Sequence, residues 1–364
     1  MSRLHELARV GQSVWFDYIQ RSLISSGELS RLIREGVRGI TSNPAIFEKA
    51  ITQSGDYDVE IAVLAREGKD VLEIYESLVM KDIALACDVF MELYAESRGV
   101  DGYVSVEVSP HIAYDADSTV REASRIFELL AKPNVMIKVP ATKEGLTAIE
   151  ELTARGVNVN ATLIFSVKRY EEVARAHLRG LQRRLDGGLP LDSTASVASF
   201  FVSRIDTAVD AELDRMGMKG LQGKAAIASA RLAYARFKEL FSGGPWDRLA
   251  SRGARVQRPL WASTGTKNPG YPDTMYVDNL VGAHTVNTLP PATLGAYIDH
   301  GRTAATLETG LSDAEKTMEE LEAAGIDLAS ITARLEEEGV KAFQRSFDTL
   351  LEGIGRKRDE VTGG

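Results

Sequence analysis

The sequence predicts an α/β protein that forms a closed (β/α)8 barrel with additional helices. Eight short apolar runs alternate with long amphipathic stretches along the 364 residues. Alternation of strands and helices favours a parallel sheet covered by helices, and eight parallel strands are the number that closes such a sheet into a barrel. No linker rich in Pro, Gly or Ser divides the chain. We therefore expect residues 1–364 to form one barrel domain.

The predicted strands are short runs rich in apolar and β-branched residues. They are Ser13–Asp17, Gly39–Ser42, Tyr103–Val108, Val135–Val139, Val157–Ile164, Val197–Val202, Pro259–Ser263 and Thr285–Thr288. The predicted helices between and after them are Asp70–Tyr94, Ser118–Leu130, Val167–Leu185, Asp206–Leu240, Ser312–Ala324 and Ala329–Leu351.

Local signals add detail to this plan. Ser118 is a good N-cap residue, with Glu122 in the first turn that follows it. The Gly and Pro residues of Ser242–Arg258 predict a surface loop. The polar tail Gly353–Gly364 is expected to be frayed. The two helices that span about 312–351 are expected to pack on the barrel.

Composition excludes several classes of protein. Lys and Arg number 43 and Asp and Glu 52, so the net charge is −9, which argues against binding to nucleic acid or to an anionic membrane. A small anionic substrate needs only a few local cations. The single cysteine, Cys87, excludes an internal disulfide framework. Because neither an apolar signal core nor a run of about 18 apolar residues is present, we expect a cytoplasmic protein. We also expect a monomer or a homodimer.

Several predicted strands carry polar residues where apolar ones are expected. Both faces of a strand are buried in a barrel covered by helices, so its strands should be almost wholly apolar. Lys138 lies inside Val135–Val139, and Glu107 alternates with valines in Tyr103–Val108. Asp17 shares a face with Trp15. Since strand side chains alternate between the two faces, we expect the polar set to face the barrel interior.

The fifth predicted strand shows the same alternation, with Asn158, Asn160 and Thr162 on one face. Burying Asp17, Glu107 or Lys138 unpaired would cost several kcal/mol, so such residues are paired with one another, functional, or both. Each alone has a structural interpretation. A strand lysine is usually an edge charge, Glu107 could be an ion-pair partner of Lys138, and Asn160 could be a core amide. Their occurrence together favours a site.

A lysine in such surroundings suggests one kind of chemistry. Desolvation favours the neutral amine, which can attack a ketone and form a Schiff base. The protonated imine then accepts electrons when a neighbouring C–C bond breaks. The reaction needs a base for the substrate hydroxyl and an acid or base that works with water on the carbinolamine. It needs no metal, and the histidines are scattered without ligand spacing. We therefore expect neither a metal nor a cofactor.

Six segments, each on or ending a predicted strand, resemble the transaldolase family in its longer bacterial form. The resemblance runs across nearly the whole chain and implies a TIM barrel related to the class I aldolases. The segments are Ser13-Val-Trp-Phe-Asp17-Tyr18, Gly39-Ile-Thr-Ser-Asn43-Pro44-Ala-Ile-Phe47, Val104-Ser-Val-Glu107-Val108, Met136-Ile-Lys138-Val-Pro140-Ala-Thr142, Asn158-Val-Asn160-Ala-Thr162-Leu-Ile-Phe165-Ser166 and Ala262-Ser-Thr-Gly-Thr-Lys267-Asn268-Pro269.

The resemblance implies catalytic roles for four residues. Lys138 matches the lysine that forms the Schiff base. Asp17 matches the acid that takes the proton from the C4 hydroxyl during cleavage and returns it during addition. Glu107 and Thr162 match the pair that positions water for carbinolamine dehydration and imine hydrolysis.

The resemblance also implies substrate contacts. Asn43 and Asn160 match amides that hold hydroxyls of a bound dihydroxyacetone unit, and Ser199 matches the sixth-strand segment. Arg204 matches a phosphate-binding arginine, and Lys267 is a second candidate cation. Simpler interpretations stay open for three of them: Asn43 could shape a turn, Arg204 could pair with Asp206 on the surface, and Lys267 could be a solvated turn residue.

The expected function is transfer of a dihydroxyacetone unit between sugar phosphates. One alternative is an aldolase of the fructose-6-phosphate type, which uses the same lysine and releases free dihydroxyacetone. A second is a barrel that binds sugar phosphates as a sensor, in which Lys138 and Glu107 form a structural pair.

Overall fold

A computed structural model describes residues 2–362, and its centre is a closed barrel of eight parallel strands in chain order. Each strand pairs with the next one, and the last pairs with the first. This confirms the predicted (β/α)8 barrel. The strands are β1 (Gln12–Phe16), β2 (Val37–Thr41), β3 (Tyr103–Glu107), β4 (Val135–Pro140), β5 (Val159–Ile164), β6 (Ser196–Phe201), β7 (Arg258–Ala262) and β8 (Thr285–Leu289).

Helices surround the barrel on the outside. Within residues 2–362 they are α1 (Arg3–Val10), α2 (Arg21–Ser25), α3 (Glu28–Glu35), α4 (Pro44–Thr52), α5 (Asp58–Arg66), α6 (Val71–Glu96), α7 (Ala116–Leu130), α8 (Lys143–Arg155), α9 (Val167–Asp186), α10 (Ser203–Arg215), α11 (Ala225–Leu240), α12 (Gly244–Ala250), α13 (Met275–Asn279), α14 (Pro291–His300), α15 (Leu311–Ala323) and α16 (Leu328–Thr362). Short 3-10 helices lie at Pro110–Ile112 and Lys219–Leu221.

Large aromatic side chains fill part of the barrel interior. Trp15 on β1 is fully buried, and its ring centroid lies 6.3 Å from that of Tyr103 on β3. Gly39 on β2 is the pairing partner of Trp15, and a Cβ there would come within 2.7 Å of the indole. Glycine is therefore required at this position because the indole occupies the space of a side chain.

Three local predictions are corrected by the structure. The N-cap of α7 is Asp115, whose carboxylate accepts from the Ser118 backbone N–H at 3.0 Å, so Ser118 is not the cap. The predicted helix Asp206–Leu240 is divided into α10 and α11 by a segment in which Gly217 and Gly223 have positive φ angles. The predicted loop Ser242–Arg258 contains the short helix α12, which buries Trp246.

The C-terminal helix α16 is longer than the predicted helix and runs to Thr362. The predicted fraying from Gly353 is therefore wrong as far as residue 362, while residues 363 and 364 lie outside the described range. Two contacts explain the difference. Ile354 is fully buried, and Lys357 pairs with Asp58 at the start of α5. One buried apolar side chain and one ion pair therefore hold this polar segment against its neighbours, and neither contact can be recognised in the sequence.

Helix α16 passes over the carboxyl ends of the strands. Glu336 pairs with Arg169 of α9 at 3.1 Å, and the Gln344 amide donates to the Pro110 carbonyl at 3.2 Å. Gly339 lies against the end of β5, where a Cβ would come within 2.9 Å of the Leu163 side chain. The sequence left the position of this helix open, and the structure places it across the mouth of the barrel.

A buried histidine between two outer helices gives a test of this packing. His177 of α9 is fully buried, and its Nδ1 shares a hydrogen bond of 3.4 Å with the Thr153 hydroxyl of α8. Burial lowers its pKa to about 4 from 6.5. The unfolded chain then binds the proton first, so the stability from the neutral ring is present above pH 6.5 and is lost as pH falls towards 4.

We predict that His177→Gln flattens the acid side of the stability curve. Between pH 6.5 and pH 4, the free energy of unfolding should fall by up to about 1.4 kcal/mol less per pH unit than in the parent. Urea unfolding at a series of pH values measures this slope. His300→Gln is the control, because Asp273 and Asp299 raise the pKa of that exposed histidine, so its ring does not have to gain a proton in the folded chain over this acid range. Parallel curves for parent and His177→Gln would contradict the prediction.

Candidate active site

Strand register brings three of the predicted residues into one row. Glu107 of β3 is the pairing partner of Lys138 of β4, and Lys138 is the partner of Asn160 of β5. Side chains in register on neighbouring parallel strands lie on the same face of the sheet. The row lies near the carboxyl ends of the strands, where barrel enzymes carry their active sites.

The Lys138 amine is held inside the mouth of the barrel. Its Nζ lies 2.9 Å from Glu107 Oε1, an ion pair by distance, and donates a hydrogen bond to the Ser42 carbonyl at 3.0 Å. The side chain is only 6% exposed. Above it, Nζ lies 5.9 Å from the centre of the Phe343 ring of α16. The amine is therefore enclosed by a carboxylate, a carbonyl and an aromatic ring.

Asp17 follows β1 and approaches the same lysine. Its Oδ1 accepts a hydrogen bond of 2.6 Å from the Thr41 hydroxyl at the end of β2. Burial raises the pKa of Asp17, while the Thr41 hydrogen bond and the charges of Lys138 and Lys267 lower it and leave it above its usual value. A carboxyl group with a raised pKa, close to an amine, is suited to taking up and returning protons.

Glu107 has a similar environment. Burial raises the pKa of Glu107, the neighbouring Lys138 lowers it, and the charge of Asp17 raises it further. On β5, the Thr162 hydroxyl is buried and makes no hydrogen bond to the described residues. The Glu107 Oε1 atom also lacks a partner of good hydrogen-bond geometry. Buried polar atoms normally have partners, so these two have capacity left for a bound molecule.

The two asparagines have different surroundings. Asn160 is fully buried: its Nδ2 donates to the Ser105 hydroxyl at 3.0 Å, and its Oδ1 accepts from the Ser199 hydroxyl at 2.6 Å. Asn43 caps α4, because its Oδ1 accepts from the Ile46 backbone N–H at 3.0 Å. The turn-shaping interpretation of Asn43 therefore holds. Its side-chain nitrogen makes no hydrogen bond within residues 2–362.

Arg204 stands in the first turn of α10, just past β6. Burial lowers the pKa of its guanidinium, which lies 5.5 Å from the centre of the Phe201 ring, and the charge of Glu338 opposes this effect. It forms no ion pair with the part of the chain that the structure describes. A surface pair with Asp206 is not present, because that carboxylate accepts from the Tyr276 hydroxyl and the Ala226 backbone N–H.

Lys267 lies in the exposed loop that follows β7. The loop follows the carboxyl end of β7 and therefore starts at the mouth of the barrel, and the charge of Lys267 lowers the pKa of Asp17. Since β6 and β7 are neighbours in the barrel, Arg204 and Lys267 follow adjacent strand ends. The two cations predicted from the sequence thus lie on the same side of the mouth.

Three contacts at this site were missed by the sequence analysis. Thr41 lies in the segment that includes Asn43, and its place at the end of a predicted strand was a usable signal. The Ser42 carbonyl that accepts from Lys138 has no signature in the sequence, because every residue carries a carbonyl. Phe343 comes from the last helix, and its contact with Lys138 exists only because α16 crosses the mouth.

None of the helices within residues 2–362 combines the length and the apolar character needed to cross a bilayer. Within the same range, His, Cys, Asp and Glu side chains form no group of three or more that could hold a metal ion.

A (β/α)8 barrel that buries a lysine among two acids at its carboxyl end belongs to the aldolase type of barrel enzyme. The chain is a member of the transaldolase/fructose-6-phosphate aldolase family, because the model of the family described as "Transaldolase/Fructose-6-phosphate aldolase" matches residues 14–354. This confirms the family and the enzyme class predicted from the six segments.

Curated relatives cover nearly the whole chain. A transaldolase of Thiobacillus denitrificans is 47% identical over 359 residues, which are 98% of this chain and 100% of the relative. A transaldolase of Trichodesmium erythraeum is 44% identical and covers 99% of each chain. A transaldolase of Mycobacterium tuberculosis is 47% identical over 96% of this chain and 95% of its own length.

We predict that Thr41→Val shifts the pH dependence of the reaction. The hydrogen bond from Thr41 stabilises ionised Asp17, so its loss raises the pKa of that carboxyl and reduces the ionised fraction at a given acidic pH. The acid limb of kcat/KM should move up by about one pH unit. A pH–rate profile measures it.

Thr288→Val is the matched control for this experiment. The Thr288 hydroxyl shares a hydrogen bond of 2.7 Å with the Thr41 hydroxyl. Of these two hydroxyls, only that of Thr41 donates to the Asp17 carboxylate. Its acid limb should stay close to that of the parent. An unchanged limb in Thr41→Val would contradict a role for Asp17 as the proton acceptor.

Proposed function

We propose that this chain is a transaldolase that transfers a dihydroxyacetone unit between sugar phosphates. In the forward direction sedoheptulose 7-phosphate and glyceraldehyde 3-phosphate become erythrose 4-phosphate and fructose 6-phosphate, a step of the non-oxidative pentose phosphate pathway. The observation that carries the proposal is the enclosed Lys138 amine, 2.9 Å from Glu107 and close to the charge of Asp17.

The first step joins the donor ketose to the enzyme. The neutral Lys138 amine attacks the C2 carbonyl carbon, and one amine proton passes by way of the Glu107 carboxyl group to the carbonyl oxygen, which gives a neutral carbinolamine. Glu107 then protonates the departing hydroxyl group, which leaves as water while the C=N bond forms. Glu107 and the unpartnered Thr162 hydroxyl are the two groups proposed to hold this water.

The second step breaks the C3–C4 bond. Asp17 takes the proton of the C4 hydroxyl, the C4 oxygen forms a carbonyl, and the electron pair of the broken bond moves to C3 and into the imine. The aldose phosphate leaves, and the dihydroxyacetone unit stays on Lys138 as an enamine. Asn43, Asn160 and Ser199 are proposed to hold its hydroxyl groups.

The second half-reaction runs the same steps in reverse with another aldose phosphate. C3 of the enamine attacks the acceptor aldehyde, and Asp17 returns its proton to the new hydroxyl. Water then hydrolyses the imine and frees Lys138. Since one site serves both halves, we expect ping-pong kinetics.

Arg204 and Lys267 are proposed to bind the substrate phosphate. Both lie beyond the ends of neighbouring strands, and both are without an ion-pair partner among residues 2–362. In a chain with a net charge of −9, two local cations at the mouth supply the attraction that the overall charge opposes.

The alternative is an aldolase that releases free dihydroxyacetone. The family description covers both activities. Relatives that match over nearly their whole length carry the transaldolase name, which favours transfer. The sensor hypothesis lacks such support, because the curated relatives named above are enzymes.

Three further expectations stay predictions. The cytoplasmic location is tested by fractionation of cells that express the chain. The monomeric or homodimeric state is tested by sedimentation at several protein concentrations. The proposal that residues 1–364 act as one domain is tested by limited proteolysis.

We predict that fructose 6-phosphate and borohydride together label Lys138. Reduction converts the imine into a stable secondary amine, and mass spectrometry of the peptides should find a dihydroxyacetone-sized adduct on that lysine. Retention of the triose unit also favours transfer over release. Label on another lysine, or none, would contradict the central role of Lys138.

The matched variants for this experiment are Lys138→Met and Lys143→Met. Lys138→Met should lose both the label and the activity. Lys143 lies nearby at the start of α8 and is exposed, so its replacement should leave both intact.

We also predict that Arg204→Ala weakens the preference for phosphorylated substrates. Loss of a charged hydrogen-bonding partner costs about 1.5–3 kcal/mol, so KM for fructose 6-phosphate should rise about 10- to 100-fold. The value of kcat/KM for unphosphorylated fructose should change little. Steady-state kinetics with both donors measures the ratio, and an unchanged ratio would rule out the phosphate role.

A further inference from the structure

Helix α10 carries two buried acids, Asp206 and Asp210, one turn apart. They are 1% and 8% exposed, and neither forms an ion pair with a residue of the described chain. Asp206 accepts from the Tyr276 hydroxyl and from the Ala226 backbone N–H, both at 2.8 Å. Buried carboxylates without a cation are costly, so their retention on one face of a helix calls for an explanation.

Both carboxylate oxygens of Asp210 likewise accept hydrogen bonds from within the protein. Its Oδ2 accepts a hydrogen bond of 2.6 Å from the Tyr271 hydroxyl, and its Oδ1 accepts from the Gly223 backbone N–H at 2.9 Å. Gly223 has a φ of +70°, and a Cβ there would come within 2.9 Å of the Tyr271 ring. The glycine therefore leaves the room that Tyr271 needs to reach Asp210.

These bonds tie the loop that carries Lys267 to α10. At the start of the loop, the Ser263 and Ser203 hydroxyls share a hydrogen bond of 2.8 Å, and the Ser203 backbone N–H donates to the Ser263 carbonyl at 3.1 Å. At its end, Tyr271 bonds to Asp210. Residues 263–271 are thus anchored at both ends to the helix whose first turn carries Arg204.

A turn next to Lys267 connects this residue to Tyr271, where the loop is attached to α10 for the second time. The Tyr271 backbone N–H donates to the Asn268 carbonyl at 3.1 Å, and the Asn268 side chain accepts from the Gly270 backbone N–H at 2.9 Å. Asn268 is the residue after Lys267. The position of Lys267 therefore depends on that of Tyr271, although its own side chain is exposed.

We propose that the Asp210–Tyr271 hydrogen bond is a clamp that holds Lys267 in place relative to Arg204, and that both residues position the cations for recognition of the substrate phosphate. This inference rests on the proposed function. Ordering a free loop when substrate binds would cost about 1 kcal/mol or more per residue, whereas a loop ordered beforehand avoids that loss. The clamp acts on binding of the phosphate. The charge of Lys267 is the smallest of the causes that act on the pKa of Asp17, so a shift of Lys267 changes the chemistry at Lys138 only slightly.

The test is Tyr271→Phe, which removes one hydroxyl and keeps the ring. KM for fructose 6-phosphate and the inhibition constant of inorganic phosphate should both rise about three- to tenfold. The value of kcat and the value of kcat/KM for unphosphorylated fructose should stay within about twofold. Gly223→Ala is the second variant, because its methyl group displaces the ring, and it should produce the same pattern.

Tyr297→Phe is the matched control. Like Tyr271→Phe, that variant removes one tyrosine hydroxyl and its hydrogen bond, here the 2.9 Å bond between Tyr297 and Thr303. Tyr297 is buried and lies outside the loop. It should leave both phosphate parameters unchanged. Thermal unfolding of all three variants tests whether they are folded. If Tyr271→Phe does not fold, a folded Gly223→Ala variant still tests the clamp.

Lys267→Ala separates failure of the clamp from failure of the proposed function. A rise in KM with Lys267→Ala, together with no change in Tyr271→Phe, would overturn the clamp and leave the phosphate subsite standing. No change in KM or in phosphate inhibition with Lys267→Ala would overturn the role of Lys267 in the proposed function, and the clamp with it. An equal loss of kcat/KM for both donors in Tyr271→Phe would indicate a merely structural bond and also overturn the clamp.

Discussion

The enclosed contact between the Lys138 amine and Glu107 is the interaction on which the rest of this structure depends. An amine and a carboxyl group 2.9 Å apart inside a barrel are stable only if each has partners that replace water. The closed sheet supplies them: strand register sets Glu107 beside Lys138, and the end of β2 supplies the Ser42 carbonyl. Asp17 joins the group from β1. The fold therefore concentrates two acids and an amine where water is scarce, and burial raises the pKa of both acids.

The outer parts of the molecule complete this arrangement. Helix α16 passes over the mouth and sets the Phe343 ring above the amine, so the last helix of the described chain closes the site built by the first five strands. Helix α10 carries Arg204 and anchors the loop of Lys267 at both ends. In the proposed function, the reacting groups and the phosphate-binding cations therefore have different supports. Strands hold the first set, and helices and loops hold the second.

Sequence pattern was sufficient wherever the physical rule is local. Strand side chains alternate with a period of two, so Glu107, Lys138 and Asn160 were recognisable as interior residues before any contact was known. Prediction failed where neighbours decide. Asp115 and Ser118 are both good cap residues, and only the structure shows that Asp115 caps α7, because its carboxylate accepts from the Ser118 backbone N–H. Positive φ angles at Gly217 and Gly223 divide a stretch rich in helix-forming residues, because Gly223 must leave room for Tyr271.

The sequence by itself determined the order of strands and helices, the polar row on the inner face of the sheet and the family to which the chain belongs. These follow from periodicity and from short motifs, which are properties of neighbouring residues. Only the tertiary structure decided that α16 continues to Thr362 across the mouth, that Phe343 covers Lys138, and that Tyr271 reaches Asp210. Such contacts join residues far apart in the chain. Their energy depends on distance in space, and the periodicity of the sequence carries no information about that distance.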